Sequence, residues 1–358
     1  MATRGYIERA RGRGARSNAA GRFEALDREA VDDGWAPDAD LPPLRTEVRV
    51  ERPRSVITYN KSPDLPFDRS INVYRGCEHG CVYCFARPSH AYLGLSPGLD
   101  FETRLTARPD APEVLERELA AKRYRVAPLA MGTNTDPYQP IEATYGITRA
   151  CLSVLQRTGH PVAIVTKGAL IERDIDILSD MARRGLCRVG ISVTTLDAGL
   201  SRAMEPRVPL PARRLKTIER LARAGIPVRV MAAPLVPALT DPELEAILYA
   251  GKKAGARSAS WIMLRLPREV SGLWREWLEA AYPDRAARVM ARLREMHGGQ
   301  DYDARWHTRM RGEGPYAEMI AARFDVAVRR LGLRTRLHPM RTDVFRPPVP
   351  PGGQLQLL

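Results

Sequence analysis

The sequence predicts an α/β protein whose main body is a partial (β/α)6 TIM-like barrel, with a mobile N-terminal arm before it and a helical extension after it. Two observations carry this prediction. Short apolar runs alternate with amphipathic helical stretches up to about residue 270, and each run ends in small or polar residues. The alternation is typical of βαβ units, and polar run ends match the rim where α/β barrels place their chemistry. A doubly wound open sheet is the alternative fold.

Residues 1–45 are predicted to form the mobile arm. They are poor in large apolar residues, rich in Arg, Gly, Ala and Asp, and show no sustained period. A segment of this kind buries too little apolar surface to fold by itself. Within residues 46–67, the alternating segments TEVRVE and SVITY then predict short strands at the start of the compact domain.

The barrel is predicted to span residues 46–270, with a cysteine-rich loop at 75–90 after its first strand. Its six strands are assigned to the apolar segments SINVYR, VAPLAMG, PVAIVTKG, CRVGISVTT, PVRVMAAPLV and SASWIMLRLP. The helices between them are assigned to APEVLERELAAK, ITRACLSVLQRTG, IDILSDMARRG, PARRLKTIERLARAG and DPELEAILYAGKKAG. From residue 271 the alternation gives way to helical segments and a Pro-rich tail, so residues 271–358 are predicted to form the extension.

The composition argues against a membrane protein and against a disulfide-rich secreted protein. The 358-residue chain is 44% hydrophobic and 27% charged, which is ordinary for a globular protein. No apolar run reaches the roughly 20 residues of a membrane span, and the N-terminus lacks the apolar core of a secretory signal. Five cysteines, three of them clustered, favour reduced thiols that serve a metal or catalysis. We therefore expect a cytoplasmic protein without a membrane partner.

The net charge of +14 raises the question of a DNA or RNA partner. Phosphate neutralisation is the commonest use of a strongly basic surface. However, only six of the 56 basic residues are lysines, and an Arg-rich composition also arises from the base composition of a genome. Charge alone therefore leaves a nucleic-acid substrate open.

The segment RGCEHGCVYCFARPSH contains the strongest functional signal. Cys77, Cys81 and Cys84 bring three thiolates together, and soft thiolates select zinc, copper(I) or an iron–sulfur cluster. A closed structural zinc site needs four protein ligands. Because His79 or His90 could supply the fourth ligand, a zinc-stabilised nucleic-acid-binding protein is the alternative function.

A [4Fe–4S] cluster would use the three thiolates and leave one iron with an open position. The spacing Cys-x3-Cys-x2-Cys after a first strand, with Tyr83 just before the last cysteine, resembles the radical S-adenosylmethionine (SAM) enzymes. In that family the open iron binds the amino and carboxylate groups of SAM. An electron from an external flavodoxin- or ferredoxin-type donor then cleaves SAM, and the resulting 5′-deoxyadenosyl radical abstracts hydrogen from the substrate. The resemblance implies an enzyme with three catalytic, cluster-binding cysteines.

Further segments resemble the spore photoproduct lyase group and its uncharacterised relatives, namely YRGCEHGCVYCFAR, GTNTDPYQPIE, VTKGALIERDID, ISVTTLD and MEPR. The resemblance implies that Tyr83 lies near the adenine of SAM, and that Lys167 and Ser192 contact SAM. It also places the methionine amino group near the end of the second strand. The SAM-binding residues implied in this way are Tyr83, Gly132, Asn134, Asp136, Lys167 and Ser192.

Among the implied SAM-binding residues, Lys167 has the most direct support from the sequence itself. A lysine at a strand end, in a chain with so few lysines, suggests a need for a compact ammonium group. Asn134 and Asp136 have suitable acceptor oxygens. They also belong to an Asn-Thr-Asp-Pro sequence, which is common in ordinary turns, so both interpretations stay open.

Other charged residues near the predicted rim have two interpretations each. Glu205 and Arg207, in MEPR, either line the substrate mouth or pair with each other. Arg265 ends the sixth strand and either points toward the site or is exposed beyond the barrel. His79 and His90 are expected to order the cysteine loop rather than to bind a metal.

The chain departs from the spore photoproduct lyase pattern at the end of the second strand. That enzyme uses a cysteine there to return a hydrogen atom, whereas this chain reads Met-Gly-Thr-Asn at 131–134. Cys151 and Cys187 lie in a helix and at the beginning of a strand, so we predict that both are buried structural residues. The thymine-dimer lyase activity is therefore not inferred from the resemblance.

Overall fold

The computed structural model describes residues 12–24 and 44–348, and its centre is a seven-stranded sheet. Six strands run parallel, and a seventh pairs antiparallel with the first of them at one edge. In order across the sheet the strands are β2 (Ile57–Tyr59), β3 (Arg69–Ile71), β6 (Leu129–Met131), β7 (Val162–Thr166), β8 (Cys187–Ser192), β9 (Val228–Leu235) and β10 (Ser258–Met263). The strand order never reverses, as it would in a doubly wound sheet. The partial (β/α)6 barrel is therefore confirmed, and the doubly wound alternative is wrong.

A small second sheet stands beside the cysteine loop. It consists of β1 (Glu47–Val50), β4 (Tyr74–Arg75) and β5 (Arg104–Ala107). β5 lies in the middle, parallel to β1 and antiparallel to β4. β1 and β2 match the two predicted alternating segments, whereas β5 follows the cysteine loop and was not predicted from the sequence.

Helices connect the parallel strands in the predicted places. The α-helices of the described residues are α1 (Asp100–Thr103), α2 (Ala111–Leu119), α3 (Glu142–Tyr145), α4 (Ile147–Thr158), α5 (Ile175–Arg183), α6 (Ala198–Met204), α7 (Pro211–Arg223), α8 (Leu244–Lys253), α9 (Glu269–Ala281), α10 (Pro283–Glu295) and α11 (Pro315–Leu331). α4 illustrates why they form: Cys151, Leu152 and Leu155 share one buried face, and the helix ends at Gly159 in a left-handed conformation. None of these helices is long and apolar enough to cross a membrane.

The parallel strands supply the centre of the main hydrophobic core. Ile164 of β7 and Val189 of β8 are almost fully buried, and burial of one such side chain stabilises the fold by roughly 1.5–3 kcal/mol. Cys151 and Cys187 are buried in the same core, as predicted. The Cys187 thiol donates a hydrogen bond to the carbonyl oxygen of Leu178, at 3.1 Å. Both thiols are therefore far from solvent and surrounded by apolar side chains.

The C-terminal extension is helical, as predicted, and packs directly on the barrel. Phe324 of α11 contacts Trp261 of β10, with ring centroids 6.3 Å apart. α9 and α10 contribute to a second core, in which the rings of Trp274 and Trp277 lie 4.9 Å apart. This second core also includes Tyr83 of the cysteine loop, so the extension is part of the surroundings of that loop.

The segment after α11 crosses the amino ends of the parallel strands. The backbone N–H groups of Arg334, Arg341 and Arg346 donate to the carbonyl oxygens of Arg257, Gly185 and Thr158, at 3.1, 3.1 and 2.8 Å. These acceptors precede β10, β8 and β7 in turn. The segment therefore covers the bottom of the barrel, on the side opposite the strand ends that carry the polar residues.

The sequence WHTRMRGEG, at residues 306–314, connects the two edges of the open sheet. Met263 of β10 donates its N–H to the carbonyl oxygen of Met310 at 2.9 Å. Beyond the opposite edge, Asp64 accepts hydrogen bonds from the His307 N–H at 2.7 Å and from Arg309 Nε at 2.6 Å. Asp64 and Arg309 thus form an ion pair across the gap that the partial barrel leaves open.

Residues 12–24 differ from the expected mobile arm because they pack against the barrel. Gly14 and Ala15 are buried, and Leu99 donates its N–H to the Ser17 carbonyl oxygen at 3.2 Å. The segment is stabilised by long-range contacts rather than by a periodic pattern of its own, so sequence periodicity did not reveal it. The rest of the expected arm, residues 1–11 and 25–43, lies outside the described residues.

Candidate active site

The cysteine loop begins directly after β4, at the carboxyl-end rim of the parallel strands. It makes two tight turns, at Gly76 (φ +73°) and Gly80 (φ +67°), where the left-handed backbone favours glycine. The Cys77 N–H donates to the carbonyl oxygen of Phe101 at 2.9 Å, and the Cys84 N–H donates to that of Cys81 at 3.2 Å. The first bond ties the start of the loop to α1 and the second closes a turn within the loop, so the three cysteines belong to one compact segment.

Arg87 and Glu102 hold the outer side of this loop. Both side chains are fully buried, and Arg87 Nη2 lies 2.5 Å from a Glu102 carboxylate oxygen. Arg87 also donates to the carbonyl oxygens of Cys81, at 3.0 Å, and Gly98, at 2.9 Å. A buried guanidinium that binds a carboxylate and backbone carbonyls fixes the loop geometry, because any movement would leave charged groups unpaired.

The thiols themselves are sheltered from solvent. Burial raises the pKa of Cys77 well above its usual value, and Asp136, Cys81 and Cys84 raise it further. Burial also raises the pKa of Cys84, although the nearby Arg87 guanidinium opposes this shift. The three thiols influence one another, and Lys167 lowers the pKa of both Cys81 and Cys84. A positively charged metal cluster would bind the three groups as thiolates and release their protons.

Tyr83 is tied to a buried charge network. Its hydroxyl donates a hydrogen bond to one carboxylate oxygen of Glu205 and lies 3.2 Å from Thr194 Oγ1, which donates to the same oxygen at 2.8 Å. Arg214 pairs with the other Glu205 oxygen. Burial would raise the pKa of Glu205, but Arg214 and Lys167 lower it to about 2. Glu205 is therefore an ionised carboxylate in the interior.

Lys167 lies at the end of β7 beside this network. Its Nζ atom is 5.7 Å from the centre of the Tyr83 ring and 4.0 Å from Glu205 Oε1. Within the described part of the chain, this ammonium group donates no direct hydrogen bond. Two cations, Lys167 and Arg214, thus share one carboxylate, and the charge that remains uncompensated belongs to the lysine at the rim.

Asp136, expected to contact SAM, is already bonded within the protein. Its carboxylate accepts hydrogen bonds from Thr166 Oγ1 at 2.5 Å and from the Lys167 N–H at 2.8 Å, and it lies 3.3 Å from His79 Nδ1. Burial would raise the pKa of Asp136, but His79 lowers it to about 2. Asp136 therefore holds the backbone from which the Lys167 side chain extends.

The remaining predicted contacts lie at neighbouring strand ends. Gly132 has a φ of +87°, and a side chain there would overlap the carbonyl oxygen of Val165, so the turn packs directly on β7. Asn134 is held through its N–H, which donates to Asn72 Oδ1 at 3.0 Å. Ser192 is buried at the end of β8. Together with the cysteine loop, the implied residues gather at one rim.

The proposed pairing of Glu205 with Arg207 is wrong. Glu205 pairs with Arg214 of α7, and Arg207 lies 3.5 Å from Glu78 of the cysteine loop. A buried carboxylate needs a buried cation as its partner. Arg214 is buried, whereas the Arg207 side chain is partly exposed. Arg214 was missed in the sequence because it belongs to an ordinary Arg-rich amphipathic helix. The one sequence feature that could have indicated Arg214 is its position in the helix that follows the MEPR motif.

Two histidines order the cysteine loop, as expected, and Arg265 reaches it. His79 contacts Asp136, and His90 Nε2 lies 2.9 Å from the Arg104 carbonyl oxygen. The Arg265 guanidinium stacks on the ring of Phe85, 4.5 Å from its centre. No carboxylate among the described residues pairs with Arg265. Phe85 follows Cys84 and is 43% exposed, so the pair lies at the open side of the rim.

The zinc alternative finds no support in this site. No group of three or more His, Cys, Asp or Glu side chains in the described residues converges on the position of a single ion. His79 and His90 have the partners given above and do not complete a four-ligand set with the cysteines. In a [4Fe–4S] cluster each thiolate binds a different iron, so its ligands need not converge on one point.

Sequence comparisons identify the family. The sequence model of the Radical SAM superfamily matches residues 71–249, half of the chain. An uncharacterised protein of Mycobacterium tuberculosis is 37% identical over 243 residues, which cover 66% of this chain and 70% of that protein. An uncharacterised protein of Methanocaldococcus jannaschii is 25% identical over 174 residues, which cover 48% of this chain and 62% of that protein.

A comparison with solved structures concerns the fold. Spore photoproduct lyase complexed with dinucleoside spore photoproduct superposes with a TM-score of 0.56, over 80% of this chain and 81% of that chain, at 14% sequence identity. At this identity the likeness concerns the fold. The sequence match to the family model assigns the chain to the family, and the matched region contains the whole cysteine loop and the ends of β6, β7 and β8. The chain belongs to the radical SAM superfamily and is an enzyme.

Proposed function

We propose that this enzyme binds a [4Fe–4S] cluster through Cys77, Cys81 and Cys84, and that it binds SAM beside the cluster. The observation that carries the proposal is the compact loop of three sheltered thiols at the barrel rim. The other two of the five cysteines, Cys151 and Cys187, are buried in the core and are not available as a fourth ligand. One iron would then be left for SAM. When bound, the two cofactors supply one-electron cleavage of a sulfonium bond and a carbon radical that abstracts hydrogen.

The charged network gives the chain's own residues distinct tasks. Lys167 is proposed to bind the carboxylate of SAM, because its ammonium group carries the uncompensated charge of the buried network. Asp136 positions the Lys167 backbone instead of contacting SAM itself. Glu205 holds the Tyr83 hydroxyl, which fixes the ring beside the lysine. Gly132, Asn134 and Ser192 remain proposed SAM contacts at the neighbouring strand ends.

The apolar surroundings would keep water from the reacting groups. Val82, between the second and third cysteines, is fully buried and belongs to the same apolar cluster as Met204 and Val236. Excluding water protects a reactive intermediate from side reactions. The reducing electron has to come from outside the chain, and a flavodoxin- or ferredoxin-type donor fits this requirement.

The decisive test is an anaerobic assay of SAM cleavage. The protein is reconstituted with iron and sulfide, reduced with dithionite, and incubated with SAM. We expect about four irons per chain and the formation of 5′-deoxyadenosine. A protein that assembles the intact cluster but neither binds nor cleaves SAM would contradict the proposal. Stoichiometric zinc without iron in anaerobically purified protein would also contradict it.

We further propose that the substrate is a nucleic acid. The pair of Phe85 and Arg265 supports this choice, since it presents an exposed ring and a cation without a carboxylate partner beside the third cysteine. Aromatic rings stack on bases and guanidinium groups bind phosphates, so the two groups suit one nucleotide. The net charge of +14 favours the same class of substrate.

The thymine-dimer lyase reaction itself is not proposed. The end of β6 carries Met131 and Gly132, and the cysteines outside the loop lie in the core, away from the rim. No thiol of the described residues is therefore placed to return hydrogen to a substrate radical. Binding is tested with single-stranded and duplex oligonucleotides at low salt, where phosphate contacts are strongest. Negligible affinity for both would reject a nucleic-acid substrate while leaving the SAM chemistry intact.

A further inference from the structure

The N-terminal segment of residues 12–24 covers the outer face of the cysteine loop. It lies outside the half of the chain that matches the family, yet it packs between the loop, the residues around α1, and α9. Ser17 binds α9 through Glu276, with its hydroxyl 2.8 Å from the carboxylate. On the other side, the Asn18 amide and Asp100 exchange hydrogen bonds of 3.0 and 2.9 Å. The segment is thus fixed on two sides.

Glu102 joins the segment to the loop. One oxygen of its buried carboxylate accepts the Ala15 N–H at 2.8 Å and pairs with Arg87, and the other accepts the Gly14 N–H at 2.8 Å. Arg87 in turn donates to the Cys81 carbonyl oxygen. One buried carboxylate therefore binds the N-terminal backbone and, through Arg87, the backbone of the second cysteine.

Gly14 makes the closest approach between the segment and the loop. A side chain at this position would overlap the carbonyl oxygen of Gly80 and would lie 3.2 Å from the Val82 nitrogen. Gly80 and Val82 flank Cys81 directly. The backbone at Gly14 is thus in contact with the ligand loop itself, and only a residue without a side chain fits there.

Arg13 closes the end of this contact. Its guanidinium donates to the Glu102 carbonyl oxygen at 3.0 Å, to the Leu44 carbonyl oxygen at 2.8 Å, and to Thr46 Oγ1 at 3.1 Å. Thr46 in turn donates to Glu78, which lies between the first two cysteines, at 2.5 Å. Arg13 thus connects α1 to the segment before β1, and that segment contacts the cysteine loop through Glu78.

We propose that residues 12–18 form the outer wall of the cluster site and protect the cluster from solvent and oxygen. This inference rests on the proposed cluster site and adds a component that lies outside the family match. A cluster loop with one face open to water would lose its metal faster, because solvent access governs the stability and potential of such centres. The wall is held by Glu102 and by the fit of Gly14 against Gly80.

The test compares the full-length protein with Gly14→Ala, which displaces the wall through its overlap with Gly80 and replaces neither a cysteine ligand nor Glu102. Ala19→Val is the matched control, since it enlarges an exposed side chain of the same segment. Displacement is measured on the cluster-free protein by the rate of tryptic cleavage after Arg16. Cluster protection is measured after anaerobic reconstitution, by the decay of the iron–sulfur absorbance in air. Arg13→Gln serves as a second variant that weakens the wall by removing three hydrogen bonds.

We expect Gly14→Ala and Arg13→Gln to accelerate both the cleavage and the decay by about tenfold, and Ala19→Val to change each by less than about twofold. The inference is overturned if the segment is released but the cluster decays at the wild-type rate. It is also overturned if Gly14→Ala leaves the rate of tryptic cleavage unchanged, because the contact with Gly80 would then not keep residues 12–18 in place. A wild-type protein that takes up no cluster would reject the proposed function and this inference together, whereas equal decay in all variants rejects only the wall.

Discussion

The hydroxyl of Tyr83 and the carboxylate of Glu205 are hydrogen-bonded to each other in the protein interior, 122 residues apart in sequence. This bond joins the cysteine loop to the end of α6. It also places the aromatic ring next to Lys167, so that one carboxylate fixes two of the groups proposed to surround SAM.

Glu205→Gln should lower the free energy of unfolding of the cluster-free protein by about 3–5 kcal/mol, because it leaves the buried Arg214 without a counterion. Urea unfolding under anaerobic conditions measures this. Glu219→Gln is the control, since Glu219 forms ion pairs only with exposed side chains of its own helix. A loss below about 1 kcal/mol at Glu205 would mean that Arg214 finds other partners.

Replacing Cys77, Cys81 or Cys84 by alanine should abolish SAM cleavage and lower the bound iron to well below four per chain, because each thiolate holds one iron of the cluster. Cys151→Ala and Cys187→Ala, in the core, should retain full iron content. Iron analysis and the 5′-deoxyadenosine assay measure both effects. Cleavage that survives the loss of any loop cysteine would contradict the assigned ligand set.

Lys167→Met should raise the KM for SAM roughly tenfold or more while leaving iron content unchanged, because a hydrogen bond to a charged group contributes about 1.5–3 kcal/mol. Methionine keeps the length of the side chain and removes its charge. Lys216→Met, on the exposed face of α7, is the matched control. An unchanged KM would show that the SAM carboxylate binds elsewhere.

Arg265→Gln should weaken binding of a single-stranded oligonucleotide and reduce the slope of log affinity against log salt by about 1, because one phosphate contact is lost. Fluorescence anisotropy across a salt series measures the slope. Arg223→Gln, at the end of α7, removes the same charge away from the rim and should leave the slope nearly unchanged. Phe85→Ala should weaken binding at every salt concentration, since its contribution is stacking.

The free energy of unfolding should decrease as the pH is lowered from 6.5 to 4, because His160 stays unprotonated in the folded protein. Burial lowers the pKa of His160 from 6.5 to about 4. The unfolded chain therefore takes up a proton in this range that the folded protein does not, and the free energy of unfolding decreases by up to about 1.4 kcal/mol per pH unit. His160→Gln should remove this part of the slope. Urea unfolding at pH 7, 6 and 5 measures the difference between the two proteins.

The sequence predicted the parts of this protein that depend on neighbours along the chain. The strands β6 to β10 are continuous apolar runs, and the three cysteines lie on one loop, so both features could be recognised without any long-range information. Lys167 could be recognised because lysine is rare in the chain and this one ends a strand.

Pairs between distant segments could not be predicted in the same way. Arg214 binds Glu205, and Gly14 packs on Gly80, but neither contact leaves a local pattern, because an Arg-rich helix and a Gly-rich arm have several ordinary explanations. The pairing of Glu205 with Arg207 was wrong for this reason: two opposite charges close in sequence can point to different partners when one of them is buried.

The ion pair between Asp64 and Arg309 has a consequence for how the protein folds as it is made. The two residues are 245 positions apart, so the ribosome completes the entire barrel before the second partner is synthesised. Until then the nascent chain lacks the segment that bonds to the β10 edge at Met263, and open edges are the part of a sheet most prone to aggregate. Truncation before residue 309 is therefore expected to yield a chain that depends on chaperones, even though it contains every cysteine.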